Sequence, residues 1–222
     1  MRSRFDMQLD LLSSQLIYMG ELCERAIANV AKALKNGYLQ LAKQVIKEDE
    51  EIDQMEKEIE SLCLKLLLQQ QPVAKDLRQI SAALKMITDM ERIGDQTADI
   101  ADIIIAAGMS EVSDIQLTLE MAEATSQMVH NSVLAYVNKD LNLACNVMAS
   151  DDRVDELFDL MKQHLVKIIA ENHGNQGEKA IDIMMITKYL ERIGDHATNI
   201  AEWVEYSITG VHRTNMSESD SH

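Results

Sequence analysis

Glu91-Arg92-Ile93-Gly94-Asp95 returns one hundred positions later as Glu191-Arg192-Ile193-Gly194-Asp195, and each copy sits deep inside a long amphipathic pattern. The match runs outward without a gap. Ile80, Ala83, Leu84, Ile87 and Met90 align with Ala180, Ile183, Met184, Thr187 and Leu190, and Ala98 and Ile100 with Thr198 and Ile200. Self-similarity over this length marks one supersecondary unit used twice. A second alignment, offset by two further residues, pairs Val45, Ile52, Met55 and Ile59 with Val147, Val154, Leu157 and Met161.

Composition assigns the class of that unit. The chain has 222 residues with one proline, eight glycines, fourteen methionines and 4% aromatics. Strands draw on β-branched and aromatic residues and turns on Gly and Pro, so this usage favours an all-α protein without a sheet. Helix-stop signals fall at Asn36-Gly37, Gln71-Pro72, Gly108, Asn138 to Asp140, Asn172 to Gly177 and Gly210. They cut the chain into six segments of about 25 to 35 residues, rods of roughly 40 to 50 Å at the helical rise. Short connections make such rods antiparallel neighbours. The expected architecture is therefore a tandem repeat of two antiparallel three-helix bundles, residues 1–107 and 108–210, followed by a disordered polar tail at 211–222.

A formal net charge of −16 argues against nucleic acid or an anionic membrane as an electrostatic partner, since both need basic patches. Cations and basic protein surfaces fit better. Met1 to Phe5 runs into Asp6 with no apolar stretch after it, and no later run is long enough to span a bilayer. Cys23, Cys63 and Cys145 are odd in number, far apart and set among apolar residues, as reduced core thiols would be. These features point to a soluble cytoplasmic protein.

The acidic residues divide by helical angle. Taking about 100° per residue from Ile80, Glu91 falls near 20°, inside the apolar stripe, and Asp95 near 60°, at its edge. Asp89 and Arg92 point elsewhere. On the preceding helix Glu48 falls in the stripe of Val45, Ile52 and Ile59, with Asp49 and Glu56 on its shoulder. Four i, i+4 acidic pairs occupy matching places: Asp49 with Asp53, Glu91 with Asp95, Asp151 with Asp155, and Glu191 with Asp195. Like charges so stacked repel, and a half-buried carboxylate needs a partner. Convergence of two pairs between neighbouring helices would make a hard-cation site. Acidic runs are ordinarily solvated faces, but duplication in register and the position of Glu91 set these apart. A salt-bridge network through Arg92 and Arg192 is the structural alternative.

Two other features narrow the chemistry. A mid-helix glycine costs about 1 kcal/mol against alanine, so Gly94 and Gly194 imply either close helix packing or ion access. The third residue after Glu91 and Glu191 is glycine, so the Glu-x-x-His of di-iron bundles is missing, and His196 reads as a surface residue. There is no zinc-type cluster, phosphate-cradling loop or nucleophile with an evident histidine. Catalytic residues are not expected.

The run Gln71-Pro72-Val73-Ala74-Lys75-Asp76-Leu77-Arg78, the doubled Glu-Arg-Ile-Gly-Asp and the continuation His196-Ala197-Thr198-Asn199-Ile200 resemble the PhoU family of bacterial phosphate-transport accessory and regulatory proteins. The resemblance covers all but the tail. It implies two three-helix bundles and a repeated acidic motif that can hold a multinuclear cluster of iron, manganese, magnesium or zinc. The implied ligands are Asp49, Asp53, Glu91 and Asp95 in one half and Asp151, Asp155, Glu191 and Asp195 in the other, with Asp99 and Asn199 extending the same face. Glu48 and Glu56 are matched by Ser150 and Phe158, so the second half has fewer carboxylates.

The implied role is negative regulation of the phosphate-starvation response, through contacts with the phosphate transporter ATPase and a sensor histidine kinase. A homodimer is also implied, and the apolar series Met86, Ile93, Ile100 and its copy Ile186, Ile193, Ile200 would leave room for extra helix contacts or complete each bundle's core. Membrane association would be peripheral, through partners. The alternatives are a metal-dependent enzyme acting on phosphate esters, whose clusters activate water, and a metal-free helical scaffold.

Overall fold

The computed structural model describes residues 2–70, 72–109 and 115–211. Six helices occupy them: α1 (Arg2–Asn36), α2 (Leu39–Gln70), α3 (Ala74–Ala106), α4 (Gln116–Asn138), α5 (Leu141–Glu171) and α6 (Gly177–Thr209). There is no strand among the described residues. The expected tail lies outside them, apart from Val211.

The stop signals act through backbone geometry. Gly210 takes a left-handed φ of 79° and its N–H closes α6 on the Tyr206 carbonyl at 2.8 Å, a cap without steric cost only for glycine. At the Asn138 to Asp140 break Lys139 adopts the left-handed cap itself, at φ 54°. Asp140 then caps α5 by accepting from the Leu143 N–H at 3.0 Å.

Helices α1 to α3 and α4 to α6 each form an antiparallel bundle. The aligned residues Val45, Ile52, Met55 and Ile59, and Val147, Val154, Leu157 and Met161, are all buried, which confirms the offset alignment of α2 with α5. Cys23 and Cys63 are buried free thiols, and burial pushes Cys63 up to about 12. The bundles join along two seams, α1 with α4 and α3 with α6. At the first, Gly20 lets the helices close, since a Cβ there would lie 3.1 Å from Val133 Cγ2.

The second seam consumes the extra apolar series. Met86, Ile93, Ile100, Ile186, Ile193 and Ile200 are all at most 1% exposed within a single chain. They neither await another copy nor serve one bundle alone, because α3 and α6 pack antiparallel across them. Ile100 and Ile186 line one small void with Val30, Leu34 and Thr118.

His196 also belongs to this seam, contrary to the surface position expected for it. Its Nδ1 lies 2.9 Å from Asp89 Oδ1, with the two side chains 22% and 15% exposed. Asn199 Nδ2 donates to the same oxygen at 3.1 Å. Asp89 thus points at α6, a direction that the angular reading of α3 alone left without a partner. Across the pseudo-symmetric half of the seam, the Tyr189 hydroxyl lies near Asp99 and opposes the rise of its pKa.

Candidate metal centre

Each proposed cluster sits where the α2-type helix packs on the α3-type helix. In the first half Asp49 of α2 faces Gly94 of α3, and a Cβ at position 94 would overlap Asp49 Oδ1 and come within 3.1 Å of Ile52 Cδ1. That oxygen is shut from solvent and makes no hydrogen bond. The glycine serves the first of its expected purposes, close packing against Ile52, and also leaves space for a carboxylate.

Charge and burial act together on this group. Burial, with repulsion from Asp53, Asp95, Glu91 and Asp99, pushes Asp49 up to about 7 from an ordinary 3.8. Glu91 is also raised, by burial and by Asp95, with Glu56 and Asp53 adding to it. Burial and Asp95 raise Asp99, against the opposing Tyr189 hydroxyl. Asp49, Asp53, Glu91 and Asp95 therefore share one electrostatic neighbourhood, as the sequence pattern required.

Glu48 is placed differently from expectation. It turns toward α1, 3.7 Å from Arg25 Nε, and Arg25 also holds Glu51 at 3.0 Å. The stripe of α2 is shared between two neighbours: Glu48 lies on the α1 side and Asp49 on the α3 side. Reading the stripe as one face put Glu48 within it and Asp49 only on its shoulder.

The second half repeats the arrangement with more slack. A Cβ at Gly194 would stand 3.3 Å from Val154 Cγ1 and 3.5 Å from Asp151 Oδ1. Burial, then Asp155, Asp195 and Glu191, push Asp151 up to about 6. Asp195 is raised by burial and Glu191, while Lys188 opposes. Asp151, Asp155, Glu191 and Asp195 are thus brought together.

The counter-charges differ between the halves. Arg92 engages Asp95 at 3.0 Å and Glu91 at 3.5 Å from the exposed side of α3. Arg192 instead lies over the Tyr189 ring at 5.7 Å, and Lys188, with no counterpart at Thr88, pairs with Glu191 at 2.5 Å. Lys188 went unnoticed in the sequence; its i, i+3 spacing to Glu191 was the available signal. No three acidic, His or Cys side chains among the described residues are set to hold an ion together.

The donor set nonetheless fits a hard cation. It offers carboxylate oxygens on two helices, an unpaired buried oxygen at Asp49 and a space that any side chain at position 94 would fill. A cation there would relieve repulsion that raises Asp49 and Asp151, in exchange with Arg92 or Lys188. Asp99 and Asn199 are directed instead to the α3–α6 seam.

Comparison with known proteins agrees with the repeat. A family model described as the PhoU domain matches twice, over residues 16–104 and 118–204. The phosphate-specific transport system accessory protein PhoU homolog of Clostridium acetobutylicum is 37% identical over 211 residues, covering 94% of this chain and 96% of that protein. The corresponding homolog of Zymomonas mobilis is 36% identical, over 93% and 87%. The crystal structure of PhoU from Pseudomonas aeruginosa matches with a TM-score of 0.86 at 32% identity, covering 93% of this chain and 100% of that one. The PhoU structure from Streptococcus pneumoniae, at 24% identity, shares the fold with a TM-score of 0.84. The doubled domain match coincides with the doubled bundle and its carboxylate pairs: the chain belongs to the PhoU family.

Proposed function

We propose that this chain is a regulatory adaptor of bacterial phosphate uptake, a negative regulator of the phosphate-starvation response that couples the phosphate transporter ATPase to a sensor histidine kinase. The observation that carries the reading is a doubled PhoU domain whose relatives are named phosphate-specific transport accessory proteins. In support, no helix among the described residues is long and apolar enough to cross a membrane. We place it in the cytoplasm, as a homodimer, reaching the membrane only through its partners. The carboxylate clusters are proposed to hold iron, manganese, magnesium or zinc in a structural or regulatory role.

The test is binding of the purified, untagged chain to the transporter ATPase and to the kinase's cytoplasmic part, with and without metal. Saturable binding to both is expected, with no turnover of phosphate esters. Absence of binding to either under both conditions rejects the adaptor. Ester hydrolysis lost in Glu91→Ala and Asp95→Ala, with the fold intact, would put a metal-dependent enzyme in its place.

A further inference from the structure

The run Pro72 to Arg78 has no part in the carboxylate clusters, which lie about four helical turns further along α3. Its Lys75 borders a partly enclosed cavity of about 120 Å³ where the start of α3 meets the ends of α4 and α6. Lys75, Gln79, Tyr136, Lys139, Ser207 and Ile208 line it, with no carboxylate among them. The Tyr136 hydroxyl donates to the Gln79 carbonyl at 2.9 Å and fixes one wall. Lys139 is held by its left-handed turn. Arg78, one turn on from Lys75, runs along Gly210, and its Nε is shut from solvent without a hydrogen-bond partner.

A lining that carries two lysines and no carboxylate stands out in a chain of net charge −16. Lys75 and Lys139 meet no carboxylate in the lining of the cavity they share. Such a lining disfavours a cation, and an apolar ligand would desolvate polar groups without return. The cavity, at about 120 Å³, has room for a small oxyanion. Lysines bind phosphate as point charges, through strong charge-assisted hydrogen bonds.

We propose that this cavity is an anion site for a single phosphate group, either inorganic phosphate or the terminal group of a small phosphate monoester. The site is independent of the adaptor reading and of the carboxylate clusters. The test is calorimetric titration of the full chain with inorganic phosphate and, separately, glycerol 3-phosphate. A chelator is present throughout, so that no metal supplies the anion's site. One-site binding is expected, weakened about tenfold or more in Lys75→Gln and in Lys139→Gln and unchanged in Lys35→Gln. Binding of phosphate alone identifies the free ion as ligand, and binding of glycerol 3-phosphate alone identifies a monoester. The proposal is overturned if neither ligand binds the folded chain, or if the folded Lys75→Gln/Lys139→Gln double variant binds undiminished. Partner binding, measured on the same variants, stays as in the parent chain, so the two readings fail separately.

Discussion

Asp49 Oδ1 occupies the space that a Cβ at Gly94 would need, so the carboxylate on α2 depends on a missing side chain on α3. Gly94→Ala must displace that carboxylate. The equivalent change at Gly194 meets Asp151 Oδ1 only at ordinary contact distance, 3.5 Å. Metal affinity should fall about tenfold in Gly94→Ala, as for other changes that reorient a ligand, and far less in Gly194→Ala. Metal analysis of both variants checks this; equal effects would mean that the glycine does not control the site.

Arg92 competes for the oxygens that a cation would use. Arg92→Gln should strengthen cation binding to the first half. Its effect on stability should stay within about 0.5 kcal/mol, because the pair is largely exposed. Isothermal titration with manganese and urea unfolding separate the two readings. A loss of stability with no gain in affinity would favour a plain salt-bridge network.

The helices, their breaks and the four acidic pairs were legible because each depends on local periodicity and on Gly, Pro or Asn at the stops. The seam was not. His196 was read from its own helix, where it turns away from Asp195, and only the antiparallel packing of α6 on α3 supplies Asp89 opposite it. Glu48 and Asp49 were ranked by one stripe, although α2 has two neighbours and divides them. Contacts between the repeats marked the period only through the apolar series at Met86, Ile93 and Ile100 and its copy; the polar pairs across the seam left no such mark.

The metal-stripped protein should lose stability as pH rises. Asp49 stands near 7 in the fold against an ordinary 3.8, and Asp151 near 6. Between about pH 4 and 7 the folded chain therefore retains protons that the unfolded chain has lost, and linkage makes stability decline across that window. The penalty is complete above pH 7. Thermal melts with chelator should show a lower midpoint at pH 7.5 than at pH 5, a difference reduced in Asp49→Asn and reversed by saturating metal. A rising midpoint in the stripped protein contradicts it.

Asp89 carries two contacts across the seam, to His196 and Asn199, at 15% exposure. Asp89→Ala should cost about 1.5–3 kcal/mol, the range for hydrogen bonds to charged groups. A double-mutant cycle with Asn199→Ala, read by urea unfolding, should give a non-zero coupling. Strict additivity would show that the contact contributes nothing to holding the halves.

That seam also makes the duplication irreversible. Asp89 and Asp99 correspond by repeat to Tyr189 and Asn199, and each carboxylate finds its partner in the opposite half. A molecule built from two first halves would set Asp89 against a copy of Asp99, carboxylate against carboxylate. Each half has become the other's complement and ceased to be its own. The two are no longer interchangeable modules, and substitutions at 89, 99, 189 and 199 are constrained as pairs.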